Sequence, residues 1–105
     1  MATFTNTKLA DGQLAATKGT LYTVPATGTL IAVSIYLFNT NTTTEIINLY
    51  LKDATTRQVA KISLLANEYA EVILEKAVVP AAGLIEGDTT VAAKVNYWVS
   101  GVLVT

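Results

Sequence analysis

The chain has 105 residues, of which 51% are hydrophobic and 14% are charged, and its formal net charge is −1. This is the length of one domain, and a charge so close to zero gives no basic field that would attract nucleic acid. The absence of Cys and His excludes thiol nucleophiles, disulfides, imidazole bases and the usual zinc sites.

Residues 1–11 are predicted to form an N-terminal arm or an edge strand, and residues 12–105 to form a β-sandwich domain. The first segment is rich in Thr, and Ala10-Asp11-Gly12 is typical of a turn. Residues 20–24 then predict a short strand, which ends at Pro25 because proline has no N–H to donate to a neighbouring strand.

Residues 30–39, LIAVSIYLFN, form the strand on which the rest of the prediction depends. Successive side chains of a strand point to opposite faces, so Ile31, Val33, Ile35 and Leu37 share a face that is entirely apolar. The other face is also mostly apolar and carries Tyr36 among its side chains. We therefore expect both faces to be covered, one by a second sheet and the other by an arm or a partner.

The second half of the chain continues the pattern of short strands separated by turn residues. Residues 45–52 and 58–65 alternate clearly, with Ile47, Leu49 and Leu51 on one face of the first and Ile62 and Leu64 inward in the second. Residues 64–75, in contrast, are predicted as a loop, or one helical turn at 66–70, followed by a strand. Strands are also predicted at 84–88, 89–95 and 97–104, and Val91 and Val99 are expected in the core. The count is eight or nine, which predicts an all-β antiparallel sandwich or barrel.

The acidic residues give little support to catalysis or metal binding. Most of the eight lie in predicted turns or at strand ends, where a solvated role is the default: Asp11, Glu45, Asp53, Glu68, Glu71, Glu75, Glu86 and Asp88. None of the acidic residues has the spacing of a calcium loop, and the glycines form no phosphate-binding motif. The sequence therefore predicts no catalytic residue, no metal site and no cofactor.

The aromatic residues are the stronger candidates for a functional surface. Tyr36 and Phe38 lie on the second face of residues 30–39, Tyr50 lies opposite a predicted core face, and Trp98 alternates with its neighbours. Such side chains on an outer face could contact another subunit, pack beneath the N-terminal arm or stack on a carbohydrate. The low charge of the chain favours subunit contact.

Several segments resemble small structural proteins of tailed bacteriophage virions. They are GQLAATKGTLYTVPATGT, FNTNTT, INLYLK, LLANE, LIEGDTTVAA and the terminal VNYWVSGVLV, which together extend from about Gln13 to the C-terminus. The resemblance implies a β-sandwich of jelly-roll type that decorates or cements a capsid, commonly as a homotrimer. The implied partners are other copies of the chain and the major capsid protein or other virion proteins.

The resemblance leads to a non-enzymatic virion protein, made in the host cytoplasm, with no membrane or nucleic-acid partner. The residues expected at subunit or partner contacts are Phe4, Tyr36, Phe38, Tyr50 and Trp98. The arm at residues 2–9 could add to a sheet edge of an adjacent subunit. Alternatives are a tail, baseplate or fibre component and, from another class, a carbohydrate-binding module; an enzyme is the weakest of these interpretations.

Overall fold

A computed structural model describes residues 3–105, and this range contains eight strands and no helix. The strands are β1 (Phe4–Gln13), β2 (Gly19–Thr23), β3 (Thr29–Asn39), β4 (Glu45–Lys52), β5 (Thr56–Leu64), β6 (Tyr69–Val79), β7 (Leu84–Asp88) and β8 (Val95–Val104). No helix of the described chain is long and apolar enough to cross a membrane. The predicted all-β sandwich is confirmed.

The strands form two antiparallel sheets of four. The first sheet has the order β1-β8-β3-β6 and the second sheet has the order β2-β7-β4-β5. The strand pairs β1–β8, β2–β7, β3–β6 and β4–β5 show that the chain runs as a long antiparallel ribbon, whose halves are folded over each other. The pairs β3–β8 and β4–β7 join these strand pairs into two open sheets of four strands each.

The core lies between the sheets and is built from the inward side chains of both. The fully buried apolar residues are Leu14, Val24, Leu30, Val33, Ile35, Leu37, Ile47, Leu49, Leu64, Val79, Ile85, Val95 and Val99. Alternation in the sequence correctly places Val33, Ile35 and Leu37 in this set. The inward residues of β4, Ile47 and Leu49, are also correctly predicted.

The prediction fails at Ile31, because the regular alternation of β3 is interrupted at Ala32. Ala32 has a φ of 52° and is exposed, and the register with both β6 and β8 shifts at this point. A bulge adds one residue to a strand and reverses the faces that follow. Leu30 is therefore buried in place of Ile31, which is partly exposed.

The predicted turn at Ala10-Asp11-Gly12 is also wrong, because β1 continues to Gln13. A register shift between Lys8 and Ala10 absorbs the irregularity without breaking the strand. A Cβ on Gly12 would lie 3.1 Å from the Tyr97 hydroxyl oxygen, so glycine allows the strand to pass close to that ring. The proposed boundary at residue 11 thus falls inside β1, which is an edge strand paired with β8.

The loop or turn predicted after residue 64 and the strand that follows it are found, and one further segment differs from prediction. Residues 65–68 form a tight turn around Asn67, which has a φ of 58°, and β6 begins directly after it at Tyr69. Residues 89–94 form a loop and not a strand, so Val91 is 42% exposed where a core position was expected. Single-strand alternation cannot detect this loop, because contacts made by its backbone and described below determine its path.

Candidate functional site

The first sheet brings three of the predicted aromatic residues to its outer face. Tyr36 on β3 lies opposite Trp98 on β8, and Phe38 lies opposite Tyr69 on β6. The rings of Tyr36 and Tyr69 stack with their centroids 5.7 Å apart and their planes at 21°. We call Tyr36, Phe38, Tyr69 and Trp98 the aromatic face, and Ile73, 57% exposed, extends it along β6.

The described chain does not cover the aromatic face. Trp98 is 47% exposed, Tyr36 is 39% exposed and Tyr69 is 64% exposed, so of the two coverings expected for this face, an arm or a partner, the arm does not cover it. Isolated exposed apolar side chains are common on protein surfaces, whereas contiguous ones mark binding surfaces. Here the exposed rings are contiguous across three neighbouring strands.

One side chain of β1 contacts the aromatic face. The ammonium nitrogen of Lys8 lies 4.1 Å from the centre of a Trp98 ring and 2.7 Å from a carboxylate oxygen of Asp11. The Lys8 and Asp11 side chains are both about half exposed, so this ion pair adds little stability. Its clearer effect is to fix the cation over the ring, a geometry in which the ring quadrupole attracts it.

Polar side chains border the aromatic face. The amide of Gln13 donates to Asn96 at 3.1 Å, and the Ser34 hydroxyl donates to the Glu71 carboxylate at 3.3 Å. Glu71 lies opposite Tyr36 in the ladder between β3 and β6. An apolar centre with a polar rim is the usual anatomy of a protein–protein interface.

Tyr50 does not belong to this surface, because β4 places it on the outer face of the second sheet. Its hydroxyl donates to Asp88 at 2.9 Å, and Asn48 donates to the same carboxylate at 2.8 Å. The hydrogen bond to Asp88 is the main cause of the raised pKa of Tyr50. Gln58 extends this network through a 2.9 Å bond to Asn48, so the polar side chains around Tyr50 are bonded to one another. Ile46 on β4 and Val59 on β5 are exposed as well, at 44% and 39%.

Phe4 is 67% exposed and also stands apart from the aromatic face. It pairs with Val104 at one end of the β1–β8 ladder, whereas Trp98 lies opposite Asp11 farther along it. The structure thus gathers Tyr36, Phe38 and Trp98, and it places Phe4 and Tyr50 elsewhere. A contact role for any of the five stays a prediction.

Tyr69 and Ile73 were not among the predicted contact residues. The sequence predicts a loop or one helical turn at residues 66–70, and this prediction conceals the start of β6 at Tyr69. The usable signal was the alternation of Tyr69, Glu71 and Ile73 with smaller or more buried neighbours. Pairing of Tyr69 with Phe38 depends on the β3–β6 register, which a single strand's sequence cannot supply.

Glu45 and Glu86 are exceptions to the prediction that the acidic residues are solvated, because both are buried, and Glu45 is buried completely. The Glu45 carboxylate accepts the backbone N–H of Val91 at 2.9 Å, the hydroxyl of Thr89 at 2.9 Å and the amide of Asn41 at 3.0 Å. Burial raises the pKa of this carboxyl, but these hydrogen bonds and the charge of Lys94 outweigh it, and the pKa is lowered.

A second buried polar residue, Asn39, supports the same end of the sandwich. Its side-chain nitrogen lies 3.0 Å from the carbonyl oxygens of Thr43 and Leu64 and 3.1 Å from that of Leu65. Its side-chain oxygen accepts the N–H of Asn41 at 2.8 Å. Because Glu45 and Asn39 direct their polar atoms to the chain's own loops, we assign them to loop positioning.

Cavities and acidic clusters give no better candidate within the described chain. A cleft of about 190 Å³ is lined by Leu51, Val78 and Pro80, with Asp53 and Arg57 among its polar residues. It is smaller than the roughly 300–1,000 Å³ of typical ligand pockets. Two larger depressions, of about 510 Å³ against residues 73–77 of β6 and about 410 Å³ beside Ala32 and Gly101, are more open to solvent than this cleft. Residues 3–105 contain no group of three or more acidic side chains placed to hold a metal ion.

No protein-family model matches the chain, and no curated protein matches it. Among solved structures, the chain is similar to a protein in the acidic stable capsid structure of Helicobacter pylori bacteriophage KHP30. The TM-score is 0.61 at 12% identity, over 100% of this chain and 94% of that one. A protein of the Bacillus endospore appendages, which are disulfide-linked pili, gives 0.60 at 21% identity, over 98% and 88% of the two chains.

A chain of infectious bursal disease virus, Gx strain, gives a TM-score of 0.57 at 15% identity. The match covers 99% of this chain and 32% of the viral one, so this chain corresponds to about one third of that protein. At these identities the similarity establishes the shared fold.

Proposed function

We propose that the chain is a non-enzymatic structural protein of a bacteriophage virion, which decorates or cements the capsid as a homotrimer. The aromatic face carries this proposal, because it is a contiguous, exposed and largely apolar surface on one side of the sandwich. The second sheet instead carries the hydrogen-bonded network of Tyr50, Asn48 and Asp88, and its exposed large apolar side chains, Ile46 and Val59, are aliphatic and lie on different strands. This asymmetry supports an assembly in which the aromatic face contacts another subunit or the capsid.

The strand topology supports a virion setting. Pairing of the eight strands as β1–β8, β2–β7, β3–β6 and β4–β5 in two sheets supports a sandwich of jelly-roll type. Jelly rolls are frequent among viral capsid domains, although the fold also serves unrelated functions. The similarity to chains from a phage capsid and from a second virus supports the same setting.

Interface aromatic residues commonly account for most of the binding energy of a contact. Truncating one hot-spot side chain typically weakens association by about 2 kcal/mol or more. We therefore expect Tyr36→Ser and Trp98→Ser each to shift the assembly toward monomer. Val59→Ser is the matched control, because Val59 lies on β5 of the second sheet and is 39% exposed, as is Tyr36.

Light scattering across a dilution series tests the assembly. The wild-type chain and Val59→Ser should have the mass of a trimer, and the two aromatic variants should dissociate at higher protein concentration. Circular dichroism should show that all four proteins retain their strands. A wild-type chain that is monomeric at every concentration would overturn the homotrimer.

Mass spectrometry of particles purified from the phage that encodes the chain tests the virion role. The protein should be present in the particles. Its absence from particles, when the lysate contains it, would overturn that role. Labelling of the particles with an antibody then separates capsid decoration from the tail, baseplate or fibre alternative, because the label should lie on the head.

A carbohydrate-binding module is the alternative from another class, favoured by the three exposed rings and the amides of Gln13 and Asn96 beside them. The chain has a single Trp, so Trp98 fluorescence reports directly on this surface. Titration with a panel of oligosaccharides should leave the emission unchanged if the face is a protein contact. A saturable shift would support the carbohydrate alternative.

A further inference from the structure

We propose that Tyr36, Tyr69 and Glu71 receive an arginine side chain from an extended segment of a partner protein, which adds as a strand beside β6. This inference rests on the proposed function and names the chemistry by which the aromatic face recognises its partner. It concerns the β6 side of that face, which a trimer contact through Trp98 and Tyr36 on β8 and β3 leaves open, and where the described chain leaves both a carboxylate and a strand edge available.

On the β1 side of the aromatic face, the surface already binds a cation of the chain itself. Lys8 lies over the Trp98 ring and pairs with Asp11, so a ring and a carboxylate hold one basic side chain between them. A cation above an aromatic ring is stabilised further when a carboxylate neutralises it. The chain itself supplies this cation.

The β6 side has the same two components without an intramolecular cation. Glu71 lies opposite Tyr36 in the ladder, and Tyr69 lies two residues before it on the same face of β6. Within residues 3–105, the salt bridge found is that of Lys8 with Asp11, and the cations found over rings are Lys8 and Lys18. The Glu71 carboxylate is bonded to the Ser34 hydroxyl.

The position of β6 explains how the cation can arrive. β6 is the edge of the first sheet, is paired with β3 on one side and offers its other backbone edge along 11 residues. A strand added to such an edge gains main-chain hydrogen bonds and places alternate side chains on the outer face. These side chains would lie next to Tyr69, Glu71 and Ile73, within the range of cross-strand contacts.

Arginine fits this site better than lysine for geometric reasons. Its planar guanidinium can stack on an aromatic ring while it donates two parallel hydrogen bonds to a carboxylate. The stacked pair of Tyr36 and Tyr69 supplies the ring surface, and Glu71 supplies the carboxylate. Exposed Ile73 favours an apolar residue at the neighbouring position of the same partner segment.

The experiment uses a synthetic peptide, acetyl-Thr-Val-Thr-Arg-Thr-Val-Thr-amide, and a second peptide with citrulline in place of arginine. Citrulline keeps the shape of the side chain and removes its charge. Each peptide is titrated into the purified protein in its native assembly, and NMR amide shifts give the affinity. We expect the arginine peptide to bind about tenfold more tightly, with the shifts concentrated on β6.

Glu71→Gln should abolish the preference for arginine over citrulline. The matched control is Glu75→Gln, which removes an exposed carboxylate from the same strand and should keep the preference. Equal binding of the two peptides, equal effects of the two substitutions, or no binding of either peptide would overturn the inference. Light scattering of the same samples keeps the two proposals separate, since a trimeric protein that fails these tests retains the proposed function.

Discussion

Ala32 shows how one residue interrupts the alternation of inward and outward side chains along a strand. It has a φ of 52°, a conformation in which Cβ crowds the following carbonyl oxygen. Glycine has no Cβ and pays no such cost. We therefore expect Ala32→Gly to raise the free energy of unfolding by up to about 1 kcal/mol, measured by urea denaturation.

Ala70→Gly provides the control for Ala32→Gly, because Ala70 lies in the regular, paired part of β6. Glycine there increases the conformational entropy lost on folding and removes a methyl group that packs against the core. The free energy of unfolding of the Ala70→Gly variant should therefore fall. If Ala32→Gly also destabilised the protein, the strain assigned to Ala32 would be wrong.

Glu45 couples stability to pH at the residue scale. Its pKa is lowered in the folded protein, so folding favours the carboxylate. The resulting stabilisation is fully present well above the ordinary value of 4.5 and is lost as pH falls through that value toward the lower folded pKa. We expect Glu45→Gln to lower the free energy of unfolding at pH 7 by about 1–3 kcal/mol, because the amide cannot accept all three hydrogen bonds.

The pH profile of unfolding distinguishes this mechanism from a simple packing defect. The difference between wild type and Glu45→Gln should shrink as pH falls below about 4.5, since the wild-type carboxyl becomes protonated. Glu75→Gln, which changes an exposed side chain, should leave the neutral-pH stability nearly unchanged. A constant difference across the pH range would contradict the role assigned to Glu45.

At the scale of elements, the pairing and packing of β1 bear on whether the N-terminal segment is an arm or an integral strand. It pairs with β8 from Phe4 to Gln13, and Leu9 and Ala10 pack against the core. Deleting residues 2–9 should therefore lower the free energy of unfolding by at least about 2 kcal/mol, the cost of removing one packed Leu side chain. The urea midpoint measures this loss.

Exchange of β1 onto an adjacent subunit stays a prediction. In an exchanged assembly the same deletion should reduce the mass seen by light scattering while the monomer's urea midpoint stays unchanged. A lower midpoint with an unchanged mass would show that β1 pairs within its own chain. The deletion thus tests both arrangements in one protein.

At the scale of the whole molecule, the outer faces of the two sheets differ in how far their aromatic rings are exposed. Tyr50, Asn48 and Asp88 bond to one another on the second sheet, whereas Tyr36, Tyr69 and Trp98 expose ring surface on the first. Removing exposed aromatic area from water drives association, so a trimer should bury the Trp98 and Tyr36 side of the first face and leave the edge of β6 open. For this reason we expect the trimer to dissociate in the Tyr36→Ser and Trp98→Ser variants but not in Val59→Ser.

The sequence by itself determined the fold class and the part of the core that lies on β3 and β4. Alternation is a local property of a strand, so Val33, Ile35, Leu37, Ile47 and Leu49 could be placed inside without knowledge of their partners. The same reasoning located three of the four rings of the aromatic face. It failed where long-range contacts override local pattern.

The tertiary structure alone decided the remaining points. The bulge at Ala32 moved Leu30 inward, and the burial of Glu45 drew residues 89–94 into a loop. Strand order separated Tyr50 from Tyr36 and brought Tyr69 beside it, because neighbours in a sheet are set by pairing between distant segments. Periodicity indicates which face a side chain takes, and register between strands determines which side chains meet.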